Sequence, residues 1–257
     1  MVNGADEGLS YDRQLLLGGP KRNSTLALWE VQRYGTDSFA DPDYVSMYGL
    51  RPADWYSRGI RVLGRTAVEC TRDSLADAIA TKIAAAANAA DSAEAVVVID
   101  PFAGSGNTLY WIMRHLPNAR SVGFELDDVV FELTRRNLSM LELPIQVLHT
   151  ECSSGLATVA VAADELVVAF LAPPWGEALN ASTGLDLRRT TPPIVDIVDS
   201  LVDRFDGRML CAIQVHERVD PASLAEVEAR FDWSELSVFD LDAPGHNHGI
   251  LLAGRTR

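Results

Sequence analysis

The chain is poor in cysteine, in lysine and in uninterrupted apolar sequence. Three cysteines, Cys70, Cys152 and Cys211, stand far apart with no C-x-x-C pair. That spacing excludes a disulfide framework or a zinc knuckle and reads as three buried thiols. No stretch approaches 18 consecutive apolar residues, so no membrane-spanning helix is expected. The opening Met-Val-Asn-Gly-Ala-Asp-Glu has neither the basic start nor the apolar run of a secretory signal, so the cytoplasm is the expected compartment. Basic residues are also scarce, 22 against 36 acids, for a formal net charge of −14. A surface that holds a phosphate backbone is normally basic, so nucleic acid is not the expected partner.

The deficit is uneven. Residues 1–70 carry 9 acids and 8 bases, whereas residues 71–257 carry 27 acids and 14 bases. An anionic ligand would therefore meet the front piece, and convergence of Arg22, Arg33, Arg51, Arg58, Arg61 and Arg65 beside a pocket is what an RNA-binding reading would need. Only Lys21 and Lys82 are lysine and 20 bases are arginine, a bias that points to a GC-rich bacterial genome.

What is present is enough for a packed core: 257 residues, 47% hydrophobic and 23% charged. Residues 1–24 read as loop, with a breaker at Gly18-Gly19-Pro20. TLALWEVQRY (25–34) has helical spacing, and 37–65 is irregular but aromatic, with Phe39, Tyr44, Tyr48, Trp55 and Tyr56. Thr71 reads as the N-cap of an alanine-rich helix with Leu75, Ile79 and Ile83 four apart.

Strands and helices then alternate. Strands are expected at 95–99, 120–124, 145–149, 165–171, 209–215, 236–241 and 249–253, the last two around a turn containing Pro244-Gly245. Helices are expected at 107–115, 127–140, 155–163, 193–205 and 222–230. The run AVVVI suits a central parallel strand buried on both faces. The pattern predicts an α/β, Rossmann-like, doubly wound sheet of seven strands with one antiparallel strand at the end.

The strongest chemical signal is VVVIDPFAGSGNT, which places Asp100, Gly104, Gly106 and Thr108 where the first strand turns into a helix. Glycines there let backbone approach a ligand closely. Glu125, at the end of the second strand, is placed to accept both ribose hydroxyls of an adenosine. Leu109 stands where a dinucleotide motif wants its third glycine, and no Gly-Lys-Ser/Thr follows, so neither NAD nor a nucleoside triphosphate is indicated. A second signal, Ala172-Pro173-Pro174-Trp175-Gly176, follows the fourth strand. Two prolines stiffen that loop and the indole offers a stacking face.

These motifs resemble class I S-adenosylmethionine-dependent methyltransferases, whose first motif reads D-P-F-x-G-x-G and whose amino-directed members carry two prolines and an aromatic after strand four. Trp29-Glu30-Val31-Gln32-Arg33-Tyr34, Trp55-Tyr56 and Cys70-Thr71-Arg72-Asp73 make the chain similar to the trimethylguanosine synthase-like family over roughly residues 25–255. The resemblance implies an N-terminal helical or irregular lid (1–70) and an S-adenosylmethionine-binding domain (71–257). It further implies that Thr71, Asp100, Phe102, Gly104, Gly106, Asn107, Thr108 and Ala172 line the methionine end and that Glu125 holds the ribose. Leu126, Glu151 and Cys152 would flank the adenine, and Trp175, on the loop carried by Pro173, would stack on the substrate ring.

Two positions depart from that pattern. Ala172 stands where the family places Ser, Asn or Asp, whose side chain accepts a hydrogen bond from the reacting N–H. Glu177 stands where a second glycine follows Gly176. Glu177 or His216 is therefore the expected proton acceptor. His115 and His149 read as structural, and His246 with His248 lacks a third metal ligand. The function expected is methyl transfer to a small planar or amine-bearing metabolite, without metal, nucleic acid or membrane. The alternatives are RNA guanine-N2-type transfer, or a catalytically inactive partner subunit. The oligomeric state is left open.

Overall fold

Ala95–Asp100 forms β1, an interior strand of the sheet, and its side chains alternate between two covered faces. Val97 and Ile99 enter one core and Val98 the other, so the strand reads as an unbroken apolar run. The computed structural model describes residues 10–90, 95–180, 182–205, 208–242 and 245–255. Around β1 stand β2 (Arg120–Glu125), β3 (Gln146–His149), β4 (Glu165–Leu171), β7 (Met209–His216), β8 (Trp233–Val238) and β9 (His248–Arg255). Their order is β3-β2-β1-β4-β7-β9-β8. The first five are parallel, and β9 runs antiparallel to both of its neighbours. The expected sheet is present, with its antiparallel strand inserted before the edge. A short hairpin of β5 (Leu179–Asn180) and β6 (Gly184–Leu185), not anticipated from the sequence, follows the Pro-Pro-Trp loop.

Helices cover both faces. The alanine-rich α4 (Asp73–Ala89) and α5 (Asn107–His115) bury Ile79, Ile83, Leu109 and Ile112 against Val98, Val168 and Phe170. On the other side α7 (Cys152–Thr158), α8 (Ile194–Arg204) and α9 (Pro221–Glu228) bury Leu156, Ile197, Val198 and Val227 against Val97, Ile99 and Val167. The helix α6 (Asp128–Met140) starts at Asp127, whose carboxylate accepts the Val129 and Val130 N–H groups.

Residues ahead of α4 contribute α1 (Leu28–Phe39), α2 (Pro52–Ser57) and α3 (Gly64–Glu69), preceded by a π-turn at Gln14–Gly18. Tyr11, Leu16, Leu26, Val31, Met47, Trp55 and Ile60 form a third buried cluster, shared with Ala103, Tyr110 and Leu138 of the glycine loop, α5 and α6. The stretch expected to be irregular thus holds one short helix, α2, which Pro52 opens at its N1 position, and the start of α3.

Three boundaries differ from expectation. The residue flanking α4 is Arg72, because the Thr71 hydroxyl donates to Gln214 Oε1 on β7 (3.1 Å) and the Asp73 N–H is taken by Ser46 O. The helix expected at 155–163 is α7, three residues earlier, since the Glu151 carboxylate caps it by accepting Ser154 N–H at 3.1 Å. β8 also starts three residues early and ends at Val238, as Asn247 Oδ1 accepts the Leu241 and Asp242 N–H groups and turns the chain. Residues 1–9 and Pro244 lie outside the described residues. Cys152 and Cys211 are buried as expected, but Cys70 is only half-buried.

Candidate functional site

The carboxyl ends of β1, β2, β4 and β7 meet where the strand order reverses, the position at which doubly wound sheets bind ligands. At the end of β1, Asp100 is buried, and Oδ1 accepts the Phe102 N–H at 3.0 Å. Burial pushes its carboxyl up to about 7, opposed by that hydrogen bond and reinforced by the nearby Glu125 charge. An acid raised in the folded state makes folding take up a proton. Stability therefore falls as pH rises from about 4 to about 7, and the full penalty, on the order of 4 kcal/mol, holds above that. Asp100→Asn is expected to remove this dependence. Thermal unfolding at pH 8 should show a variant more stable than the parent by about 1–3 kcal/mol, with little difference at pH 4.

Gly104 (φ +50°) and Gly106 (φ +72°) turn the chain into α5 in the left-handed region that side chains avoid. A Cβ on Gly104 would meet nothing nearer than Phe102 O at 3.8 Å, so the backbone there lies open to a ligand. Glu125 closes the same turn from β2. Its Oε2 accepts the Gly104 N–H at 3.1 Å and its Oε1 the Asp127 N–H at 2.8 Å. Burial nevertheless raises its pKa, outweighing both bonds. Leu126 beside it is exposed, whereas Thr108 is buried at the start of α5.

Asn107 is also buried, and its amide is engaged within the protein. Nδ2 donates to Thr71 O (2.8 Å) and Asp73 Oδ1 (3.1 Å), and Oδ1 accepts the Tyr48 N–H (2.6 Å). Asp73 also accepts Trp111 Nε1–H (2.7 Å) and the Gly49 N–H (3.0 Å), and the Tyr48 hydroxyl donates to Ser105 O. These bonds rivet residues 46–49 of the front piece to the glycine turn. Asn107→Ala leaves buried partners unsatisfied and is expected to cost about 2–4 kcal/mol. Amide exchange around Tyr48 should accelerate well beyond that of β1.

The Pro-Pro-Trp loop follows β4, the strand next to β1. Pro173 is buried, Ala172 half-buried, and Trp175 is half-buried against the α7–α9 core. The Trp175 ring stacks on His248 (centroids 4.9 Å, planes 29° apart) and meets His216 edge-on at 6.0 Å. His248 opens β9, beyond the turn in which the sequence places it. Gln214 Nε2 lies 3.0 Å from His248 Nδ1, so a chain of polar contacts runs from Thr71 through Gln214 to His248. Burial lowers the His248 pKa to about 4 and keeps the ring neutral.

Both ring nitrogens of His216 are engaged: Nδ1 accepts the Arg218 N–H (3.1 Å) and Nε2 faces Gly245 O (3.1 Å). That leaves no lone pair free and corrects the expectation of His216 as a proton acceptor. Glu177 lies in a single 3₁₀ turn at Gly176–Ala178. It is exposed and has no hydrogen-bond or ion-pair partner among the described residues. Glu151 caps α7 next to Cys152, away from Trp175. His115 meets Asp77 at 2.7 Å and His149 stacks on Phe131, both structural contacts.

Gln214 escaped the sequence reading, and His248 figured in it only as a turn residue beside His246. Their signal was a polar residue inside MLCAIQVH and a histidine opening the apolar GILLAG. Of the six front arginines, Arg22 donates to Leu17 O and Arg58 is exposed. Arg33 pairs with Asp37, Arg51 with Asp43 and Arg65 with Asp127, and Arg61 lies over the Tyr56 ring at 3.6 Å. Among the described residues no cluster of three His, Cys, Asp or Glu could hold a metal ion, and no helix is long and apolar enough to cross a membrane.

No protein-family model matches the sequence, and no curated protein matches it. Solved structures do. One is described as a class I S-adenosylmethionine-dependent methyltransferase from Listeria monocytogenes (17% identity, TM-score 0.50), with 70% of this chain and 60% of that one covered. Another is the METTL16 MTase domain (15% identity, TM-score 0.51), with 74% and 72% covered. The chain therefore spans less than two thirds of the first of these structures. At these identities the likeness concerns the fold: the chain has the class I methyltransferase fold.

Proposed function

We propose that the chain is an S-adenosylmethionine-dependent methyltransferase acting on a small planar or amine-bearing metabolite. The observation that carries this reading is Glu125, a carboxylate at the end of β2 that holds the open Gly104 turn at 3.1 Å. The residues suit that cofactor. Each Glu125 oxygen keeps a lone pair beyond its backbone bond, Gly104 leaves backbone exposed, and Asp100 has an acceptor oxygen to spare beside a cationic ligand. When bound, S-adenosylmethionine supplies an electrophilic methyl group on a sulfonium.

Thr71, Asp100, Phe102, Gly104, Gly106, Thr108 and Ala172 would hold its methionine end, with Asn107 fixing the turn from behind. Glu125 would accept from the ribose, while Leu126, Glu151 and Cys152 would bound the adenine. Trp175, carried by the stiff Pro173-Pro174 loop, would orient a planar substrate, and Glu177 would take its proton. Residues 1–70 would wall the site from the front and residues 71–257 form the cofactor-binding domain. A small molecule is favoured over RNA by the net acidity of residues 71–257 and by the ion pairs that engage Arg33, Arg51 and Arg65. The test is incubation with methyl-labelled S-adenosylmethionine and either the small-molecule fraction or total RNA of a bacterial extract. Label should enter the small-molecule fraction; label in RNA, or no cofactor binding by calorimetry, overturns the reading.

A further inference from the structure

The edge of the sheet at β8 carries exposed apolar side chains. Trp233, Leu236, Val238 and Leu241 are each 40–48% exposed, and they make up four of the ten large hydrophobic residues exposed among the described residues. A free edge is normally blunted by proline, lysine or a bulge. WSELSV has neither proline nor lysine, and its one charge, Glu235, is paired with Lys82 at 3.1 Å.

The ladder fixes which backbone groups are free. Phe239 N–H donates to His248 O at 2.8 Å, so by alternation the odd-numbered residues of β8 bond to β9. Ser234, Leu236 and Val238 then turn their N–H and C=O groups outward. The side chains alternate likewise: Glu235 reaches Lys82 on α4, whereas Ser234 donates to Glu228 on α9. Leu236 and Val238 share the α9 face with Ser234.

We propose that β8 is a homodimer interface, pairing antiparallel with β8 of a second copy about a two-fold axis at Leu236. The strand is self-complementary in that register. Leu236 faces Leu236 of the second copy and Ser234 faces Val238. On the α4 face Glu235 meets Ser237 and Trp233 meets Phe239, an aromatic pair of the kind that stabilises cross-strand contacts. No like charges oppose one another between Trp233 and Phe239. Just beyond, Asp232 falls opposite Asp240, which confines pairing to this strand. A chain of net charge −14 meets less repulsion from its own copy along a strand whose one charge is paired, and β8 with its Glu235–Lys82 pair is such a strand. A partner of opposite charge would find little here to read, so a second copy is the occupant that fits.

Sedimentation analysis of the full chain tests this, at concentrations up to about 100 μM, well above typical monomer–dimer midpoints. The expected result is a monomer–dimer equilibrium that high salt shifts toward dimer, because screening relieves the net repulsion and the Asp232–Asp240 contacts. Leu236→Pro deletes an N–H that points away from β9, so it should leave the fold's thermal midpoint nearly unchanged and abolish the dimer. Leu236→Cys should cross-link under oxidation, since directly opposed residues of this type lie about 5.5 Å apart between Cα atoms, within disulfide reach. Glu235→Cys, displaced from the axis, and the parent should not. A parent that stays monomeric at every concentration and salt overturns the proposal, as does a dimer in which Leu236→Cys fails to cross-link. If Leu236→Pro does not fold, the cross-linking result decides.

Discussion

Glu125→Ala is expected to weaken S-adenosylmethionine binding by at least about tenfold, or ~1.4 kcal/mol, in titration calorimetry. The magnitude follows from what the carboxylate would do for a ribose, accepting two charge-assisted hydrogen bonds at a site already shielded from water. Glu125 also holds the Gly104 and Asp127 N–H groups, so the alanine variant loosens the glycine turn as well. Glu125→Gln separates the two effects. One amide oxygen still accepts a backbone N–H, but the NH₂ group cannot accept from the second donor or from a hydroxyl. The glutamine variant should therefore keep most of the parent's thermal stability while losing a comparable part of the affinity. If Glu125→Ala binds the cofactor as tightly as the parent, the assignment of this strand end to an adenosine fails.

The sheet was legible because its strands are buried on both faces and so read as apolar runs bounded by turn residues. AVVVI and ELVVAFL fall within a residue of β1 and β4. The glycine turn was legible for a different reason: the φ of +50° and +72° found there lie in the left-handed region that glycine enters without the cost a side chain brings. What escaped was long-range. Thr71 has the chemistry of an N-cap, and nothing local says that its hydroxyl is drawn to Gln214, 143 residues away. Asn107 sits in the motif like a ligand, yet its amide binds Tyr48 and Asp73, partners that only the packed front piece brings near. His248 looked like a turn residue because the strand after it is apolar. In the fold, its register opposite His216 sets it beneath the Trp175 ring.

That placement bears on the chemistry of the Pro-Pro-Trp loop, where Glu177→Gln is expected to lower turnover on the order of a hundredfold with cofactor affinity unchanged. Ala172 cannot accept a proton or a hydrogen bond through its side chain. His216 is engaged at both ring nitrogens. His248 is held neutral, its pKa lowered to about 4, with Nδ1 turned to Gln214, so as a base it would be weak at neutral pH. On the proposed reading Glu177, exposed two residues after Trp175, would receive the proton of a substrate lying against that ring. Trp175→Ala should instead raise KM together with a fall in kcat, because it removes the surface that orients the substrate and also undercuts His248. The two variants are then told apart by steady-state kinetics on the labelled substrate. Should Glu177→Gln turn over like the parent while His248→Ala loses the rate, the proton acceptor is the imidazole beneath Trp175, and the role given to Glu177 is wrong.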